Sequence, residues 1–240
     1  MRSLRCASVF VLLLAIMGCA TAPERGSAAP AKPATAVAPA ALTHDLLHPG
    51  SGDASVCRCD AARQVNGWCD HCGVGYVAAT EVPSALLFET LDPHGHELDL
   101  DAVTCPTCLV ALAYDGWCEA CRMGWIDQRA YMTRITYRLG RGRVIDASGL
   151  TCESCLAFAE GYGWCGLCGR GLIGNVAFAD RAVFDEAVED VRILDEAIRT
   201  AAMCDLCGCA IVVDGTCPIC GIEYRAGRPV FDPVEPVSAP

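Results

Sequence analysis

The stretch Asp115–Trp125, DGWCEACRMGW, sets a Cys-x-x-Cys pair directly behind a turn dipeptide and a tryptophan. Near-copies occur at Asn66–Tyr76 (NGWCDHCGVGY), Gly161–Gly171 (GYGWCGLCGRG) and Asp214–Tyr224 (DGTCPICGIEY). A second closely spaced pair precedes each copy, so the cysteines form four quartets: Cys57, Cys59, Cys69, Cys72; Cys105, Cys108, Cys118, Cys121; Cys152, Cys155, Cys165, Cys168; and Cys204, Cys207, Cys217, Cys220. Nine residues separate the second cysteine from the third in every quartet, and the modules recur at 49, 47 and 52 residues, counted on Cys59, Cys108, Cys155 and Cys207. Metal knuckles require such a fixed pair-of-pairs spacing, whereas disulfide scaffolds rarely repeat one.

Each nine-residue interval reads as a hairpin. Apolar residues such as Leu109–Leu112 lead into Asp115-Gly116, and Asn66-Gly67 and Asp214-Gly215 occupy the same place. These dipeptides tolerate the positive φ angles of a two-residue type I′ turn. Tyr162-Gly163 is a poorer version. A turn there would fold the second pair of each quartet back beside the first.

This arrangement resembles the zinc-ribbon family, in which two Cys-Pro-x-Cys-Gly knuckles are joined by a β-hairpin. CPTC (Cys105–Cys108) and CPICG (Cys217–Gly221) carry the signature most clearly, and Gly73 and Gly169 follow other knuckles. The resemblance implies a fold class of small metal-stabilised α+β modules, four zinc-ribbon-like β-hairpins joined by helices. It also implies up to four Zn2+ ions, held by the sixteen quartet cysteines. The first module departs from the pattern: Cys57 and Cys59 are one residue too close for a regular knuckle, so His71 or Asp60 is a candidate to complete that site. Iron at a rubredoxin-like site is a further option. No Cys-x-x-Cys-His occurs, which excludes c-type haem attachment.

The N-terminus sets the expected location. Arg2 and Arg5 precede the apolar run Val9–Gly18, which is too short to span a bilayer as a helix. Residues 1–18 read as a signal peptide. The run Ile16, Met17, Gly18, Cys19 resembles the lipobox of bacterial lipoproteins, which implies lipidation of Cys19 and a membrane partner through the lipid. Ala20, in place of an inner-membrane retention Asp, implies the outer membrane, with the protein facing the periplasm. Residues 19–43, rich in Ala and Pro, read as an extended tether. The remaining segments divide into ribbon module one (44–79), helix plus module two (80–127), helix plus module three (128–174), long helix plus module four (175–228) and a flexible tail (229–240).

Of the 19 cysteines, removal of Cys6 with the leader and lipidation of Cys19 leaves the quartets plus Cys209, a candidate exchange ligand beside site four. An oxidising compartment makes a disulfide framework the alternative. The hydrophobic fraction of 53% is raised by Ala and Cys while aromatics stand at 7%, so no large continuous core is expected. A net charge of -11 argues against a nucleic-acid partner.

Helices are expected at Ser84–Leu91, at Gln128–Gly140 with Gly140 as the cap, and at Asp180–Met203 with Asp180 as N-cap. HELDLDAVTC and GRVIDASGLTC should each add a short strand before the next knuckle. Trp68, Trp117 and Trp164 read as hydrophobic plugs over the metal sites, and His94 and His96 as solvated loop residues. No catalytic constellation is recognisable, so an enzyme is not expected. The leading function is a lipid-anchored, zinc-binding envelope protein whose structural ribbons form an interaction scaffold for an unknown protein partner. The alternatives are envelope zinc or copper handling, with sites one and four the exchangeable ones, and a disulfide-stapled envelope protein. A thiol-disulfide enzyme is disfavoured, because the βαβ pattern of a thioredoxin-like fold is missing.

Overall fold

The computed structural model describes residues 46–231. The leader, Cys19, the whole tether and the chain from residue 232 lie outside the described residues. Module one runs α1 (Cys59–Val65), β1 (Trp68–Cys69), β2 (Val74–Val77), β3 (Thr80–Val82) and then α2 (Ala85–Leu91). Module two is built from β4 (His96–Glu97), α3 (Pro106–Ala113), β5 (Trp117–Cys118), β6 (Met123–Ile126), β7 (Arg129–Tyr131) and α4 (Arg134–Gly140). Module three follows with β8 (Arg143–Val144), α5 (Glu153–Ala159), β9 (Tyr162–Cys165), β10 (Arg170–Ile173), β11 (Val176–Phe178) and α6 (Arg181–Ala201). Module four has α7 (Asp205–Val212), β12 (Glu223–Arg225) and β13 (Arg228–Val230), the last within the expected tail.

The nine-residue interval is therefore a helix and not one arm of a hairpin. Pro106 is pre-set for the first turn of α3, and the Leu- and Ala-rich run after it favours helix. The turn dipeptide ends the helix instead of reversing a strand. Asn66, Asp115 and Asp214 sit in the left-handed region (φ 55°, 49° and 51°). The glycine N–H after each reaches back five residues, to Ala62, Ala111 and Ala210 carbonyls at 2.7, 2.7 and 2.8 Å, the backbone pattern of a Schellman cap.

The two-residue hairpin turn lies further on, between the two strands that follow the fourth cysteine of each quartet. It falls at Ala78-Ala79, Asp127-Gln128, Gly174-Asn175 and Ala226-Gly227, inside the pairs Val77↔Thr80, Ile126↔Arg129, Ile173↔Val176 and Arg225↔Arg228. The same residue that ends the helix holds this turn. Oδ1 of Asn66, Asp115 and Asp214 accepts the backbone N–H of Ala78, Asp127 and Ala226 at 2.9, 3.0 and 2.7 Å. In module three, which has Tyr162 at that place, the Gly161 carbonyl accepts the Gly174 N–H at 2.8 Å.

Each of the first three ribbons is clasped to the helix that follows it. Gly75, Gly124 and Gly171 lie so close beneath Phe88, Tyr137 and Phe184 that an added Cβ would meet the ring at 2.2 Å. Trp68, Trp117 and Trp164 pack on those same rings with centroids 5.4, 5.5 and 5.7 Å apart. The tryptophans are thus ribbon-to-helix clasps and not lids over the sulfurs. Side-chain oxygens of Ser84, Thr133 and Asp180 cap the three helices. The expected Gln128–Gly140 helix is shorter than its pattern, because Arg129–Tyr131 is drawn into the sheet and Thr133 starts the helix. Gly140 is its last helical residue, with Arg141 at the cap.

β4 pairs with β7 and β8 with β11, so each linker adds an edge strand to the next module's sheet. The expectation of no large core does not hold. Phe88 and Leu91 of α2, Ile135 of α4, Phe178 of β11, Leu194 of α6 and Ile211 of α7 belong to one buried cluster that joins all four modules. Sequence composition conceals it because each module contributes a few large side chains, and α6 spans the gap with a single apolar face. Arg138 of α4 pairs with the buried Asp190 of α6 at 2.9 Å, and burial, against the pull of Arg138, pushes that carboxyl up to about 6.

Asn66→Ala should lower thermal stability by about 2 kcal/mol, because it removes the acceptor for Ala78 N–H and leaves alanine in the left-handed region. Asn66→Asp should keep most of the wild-type stability, as Asp115 and Asp214 do in the same place; equal melting temperatures for wild type and Asn66→Ala would refute the double role.

Candidate metal centres

The two knuckles of each site come from different local structures. In sites two, three and four the first cysteine is the N-cap of the following helix (Cys105, Cys152, Cys204), and the second lies in that helix's first turn. The third sits at or beside the ribbon strand, and a tight turn then presents the fourth. Backbone N–H groups of Gly73, Gly169 and Gly221 close that turn on the carbonyls of Cys69, Cys165 and Cys217 at 2.8 to 2.9 Å.

The folded chain brings all four sulfurs of every quartet within 4.8 Å of one another. Close Sγ–Sγ separations are 3.7 Å for Cys57–Cys72, 3.9 Å for Cys105–Cys118, 3.8 Å for Cys152–Cys165, and 3.9 Å for both Cys204–Cys217 and Cys204–Cys220. A tetrahedral ion with ion–sulfur lengths of about 2.3 Å, as for zinc, sets sulfur–sulfur edges of about 3.8 Å. A disulfide requires about 2.05 Å. The four groups can therefore hold metal ions without rearrangement.

Site one reaches the same convergence by a different route. Its helix begins at Cys59 with Arg58 as N-cap, so Cys57 is outside the helix and its loop closes the compressed spacing. Four cysteines form the group, and neither His71 nor Asp60 joins it: the His71 ring donates from Nδ1 to the Ala54 carbonyl at 3.1 Å. Cys57 and Cys72 are both exposed, which makes site one the most open of the four.

Backbone donors polarise each site. The N–H of Cys108, with the Cys121 thiol, holds Cys105 down to about 6; the N–H groups of Cys155 and Cys220 hold Cys152 and Cys217 down to about 7. Burial pushes Cys69 up, but the N–H groups of Arg58 and Cys72 and neighbouring thiols outweigh it and bring it to about 7. In contrast, burial first, then the neighbouring thiols, pushes Cys108, Cys155 and Cys207 up to about 12. One thiol per site is thus readily ionised, while another gives up its proton only to a competing cation.

One further residue per site was not singled out in the sequence. Tyr76 and Tyr224 act on Cys59 and Cys207 and favour their thiolates. Trp125 Nε1 and Arg170 Nε are buried and act on Cys108 and Cys155 without the geometry of a full hydrogen bond. The signal was present: Tyr76, Trp125 and Tyr224 each stand four residues past the last cysteine of their quartet. Such outer donors orient and stabilise thiolate ligands.

Two readings change. Cys209 is not beside the site-four sulfurs; it lies on α7 facing α2, with Sγ 3.3 Å from Thr90 Oγ1, and burial pushes its thiol up. His94 is not a solvated loop residue, since its Nε2 donates to the Val65 carbonyl at 2.7 Å and its Nδ1 is buried. Comparison with protein-family models, curated proteins and solved structures finds no match to this chain.

In a graded chelator titration with thiol alkylation, Cys57 and Cys72 should be modified first and Cys155 and Cys165 last. Simultaneous modification of all four quartets would show that exposure does not rank the sites.

Proposed function

We propose that the chain is a lipid-anchored zinc-binding protein of the bacterial cell envelope, tethered through Cys19 to the outer membrane and facing the periplasm, whose four structural zinc ribbons form a rigid scaffold for a protein partner. The observation that carries the metal reading is the fourfold repetition of a four-sulfur cluster whose Sγ atoms all lie within 4.8 Å of one another. Zinc is the ion whose ligand preference and bond length best suit four thiolates at these separations. When bound, it supplies cross-linking between helix and ribbon in each module. Four protein sulfurs fill the tetrahedron and leave no position for water or substrate, which supports a structural role over catalysis.

The scaffold role draws support from apolar side chains at the outer tips of the second knuckles. Leu167 and Ile219 are 88% and 75% exposed, although each stands between two cysteines of a rigid turn. Exposed apolar residues held in fixed positions suit recognition of another protein. Among the described residues no helix is long and apolar enough to cross a membrane, so the anchor in this reading is the lipid on Cys19. The openness of site one favours one second reading, in which that site exchanges zinc or copper while the other three hold the fold.

Native mass spectrometry of the chain purified without reductant should find four zinc ions and no mass loss from disulfides. A strong chelator should unfold it by circular dichroism while a reductant should not; the reverse result would favour a disulfide framework. Cys19→Ser should abolish recovery in the lipidated membrane fraction, and its continued recovery there would overturn the anchor.

A further inference from the structure

Away from the four sulfur clusters, a cavity of about 780 Å³ opens where modules one, two and three meet. Ligand sites of small molecules span roughly 300–1,000 Å³ and favour such junctions. One wall is apolar, formed by Val65 at the end of α1, Val77 of β2, Leu139 of α4, Val144 of β8 and Val176 of β11. The opposite end is the loop Asp92–His96, and its polarity is one-sided.

Asp92 is 5% exposed, yet its Oδ2 receives no hydrogen bond. His94 donates from Nε2 to the Val65 carbonyl, which leaves Nδ1 as a lone-pair acceptor, buried and unpaired. Burial lowers the pKa of this imidazole and keeps it in that neutral form. The nearby Arg129 brings no relief to either acceptor, because each of its guanidinium nitrogens already donates elsewhere: to the carbonyls of His94 and Gly95 at 2.7 and 2.8 Å and to Glu97 at 2.7 Å. Over Asp92 Oδ2 sits the imidazole of His96, with Nε2 at 3.4 Å on a side chain that is 54% exposed. The polar end therefore presents two buried acceptors and one displaceable cap. An unpaired buried acceptor is costly, and a ligand that brings donors removes that penalty.

We infer that this cavity binds a small amphipathic amine, whose ammonium group replaces the His96 imidazole over Asp92 Oδ2 and whose apolar body lies along the wall of Val65, Val77, Leu139, Val144 and Val176. The cavity volume, the apolar wall and the two buried, unpaired acceptors select this class together. A carboxylate ligand would be repelled by Asp92, and a neutral alcohol would leave the carboxylate uncompensated.

The test is calorimetry on the zinc-loaded chain with hexylamine, hexanol and hexanoate as probes of equal length. Hexylamine should bind, with the other two at least about tenfold weaker, since a hydrogen bond to a charged group is worth that much. Asp92→Asn should weaken hexylamine by about tenfold or more; asparagine is among the residues that tolerate the left-handed conformation of this helix cap, and an unchanged melting temperature would verify the fold. His96→Ala should leave hexylamine affinity equal or higher, because it removes the competing cap. Absence of hexylamine binding, hexanol or hexanoate binding equally well, or loss of hexylamine binding in His96→Ala would each overturn the proposal. A zinc ion taken up beyond the four of the clusters and lost in both variants would assign Asp92, His94 and His96 to a metal instead.

Discussion

The fold depends on one residue used twice, through its backbone and through its side-chain oxygen, in three of the four modules. Asn66, Asp115 and Asp214 each end a short helix in the left-handed conformation, and each then accepts the N–H of the hairpin turn twelve residues later. The helix carries the first knuckle and the ribbon the second, so this bond fixes the distance between the halves of a sulfur cluster. Asparagine and aspartate suit both tasks, since they tolerate positive φ and carry a short acceptor. A β-branched or long side chain at that position would meet neither demand. In these three modules the backbone geometry and this bond together bring the halves of each sulfur cluster to one place.

What the sequence revealed and what it hid follow from this double use. The quartets, their spacing and the long helix capped by Asp180 were legible, because cysteine periodicity and a strong 3.6-residue pattern are local signals. The Asp-Gly and Asn-Gly pairs were misread because the same dipeptides serve hairpin turns and helix ends. Ala78-Ala79 gave no hint of a hairpin turn, yet both alanines adopt positive φ there, 48° and 63°. A cross-chain bond from Asn66 compensates that strain, and no local propensity records it. The tryptophans were assigned to the sulfurs by their nearness in sequence, whereas their partners Phe88, Tyr137 and Phe184 lie on later helices.

The four modules have diverged in what their first helix does. α3 lies against its own ribbon, and Leu109 and Val110 on it remain exposed. The corresponding α7 packs against α2 and α6, with Ile211 1% exposed. Cys209 belongs to that packing surface, which explains a seventeenth cysteine without a metal role. Composition alone could not separate the two cases, because both helices are short and uniformly apolar.

The lending of edge strands gives the assembly a direction in time. β4 and β8 stand upstream of the sheets they complete, so a chain emerging from the ribosome amino-end first already holds the missing strand when each new ribbon appears. Every such sheet closes on sequence already made, from His96 to Ala130 and from Val144 to Val176, a much shorter span than the core must close. The joint core behaves oppositely: α7, last of the helices, must return to α2 across more than a hundred residues before the cluster around Leu91 and Leu194 is sealed. Growth of this protein is thus progressive in its sheets and abrupt in its core, with its final module acting as the latch.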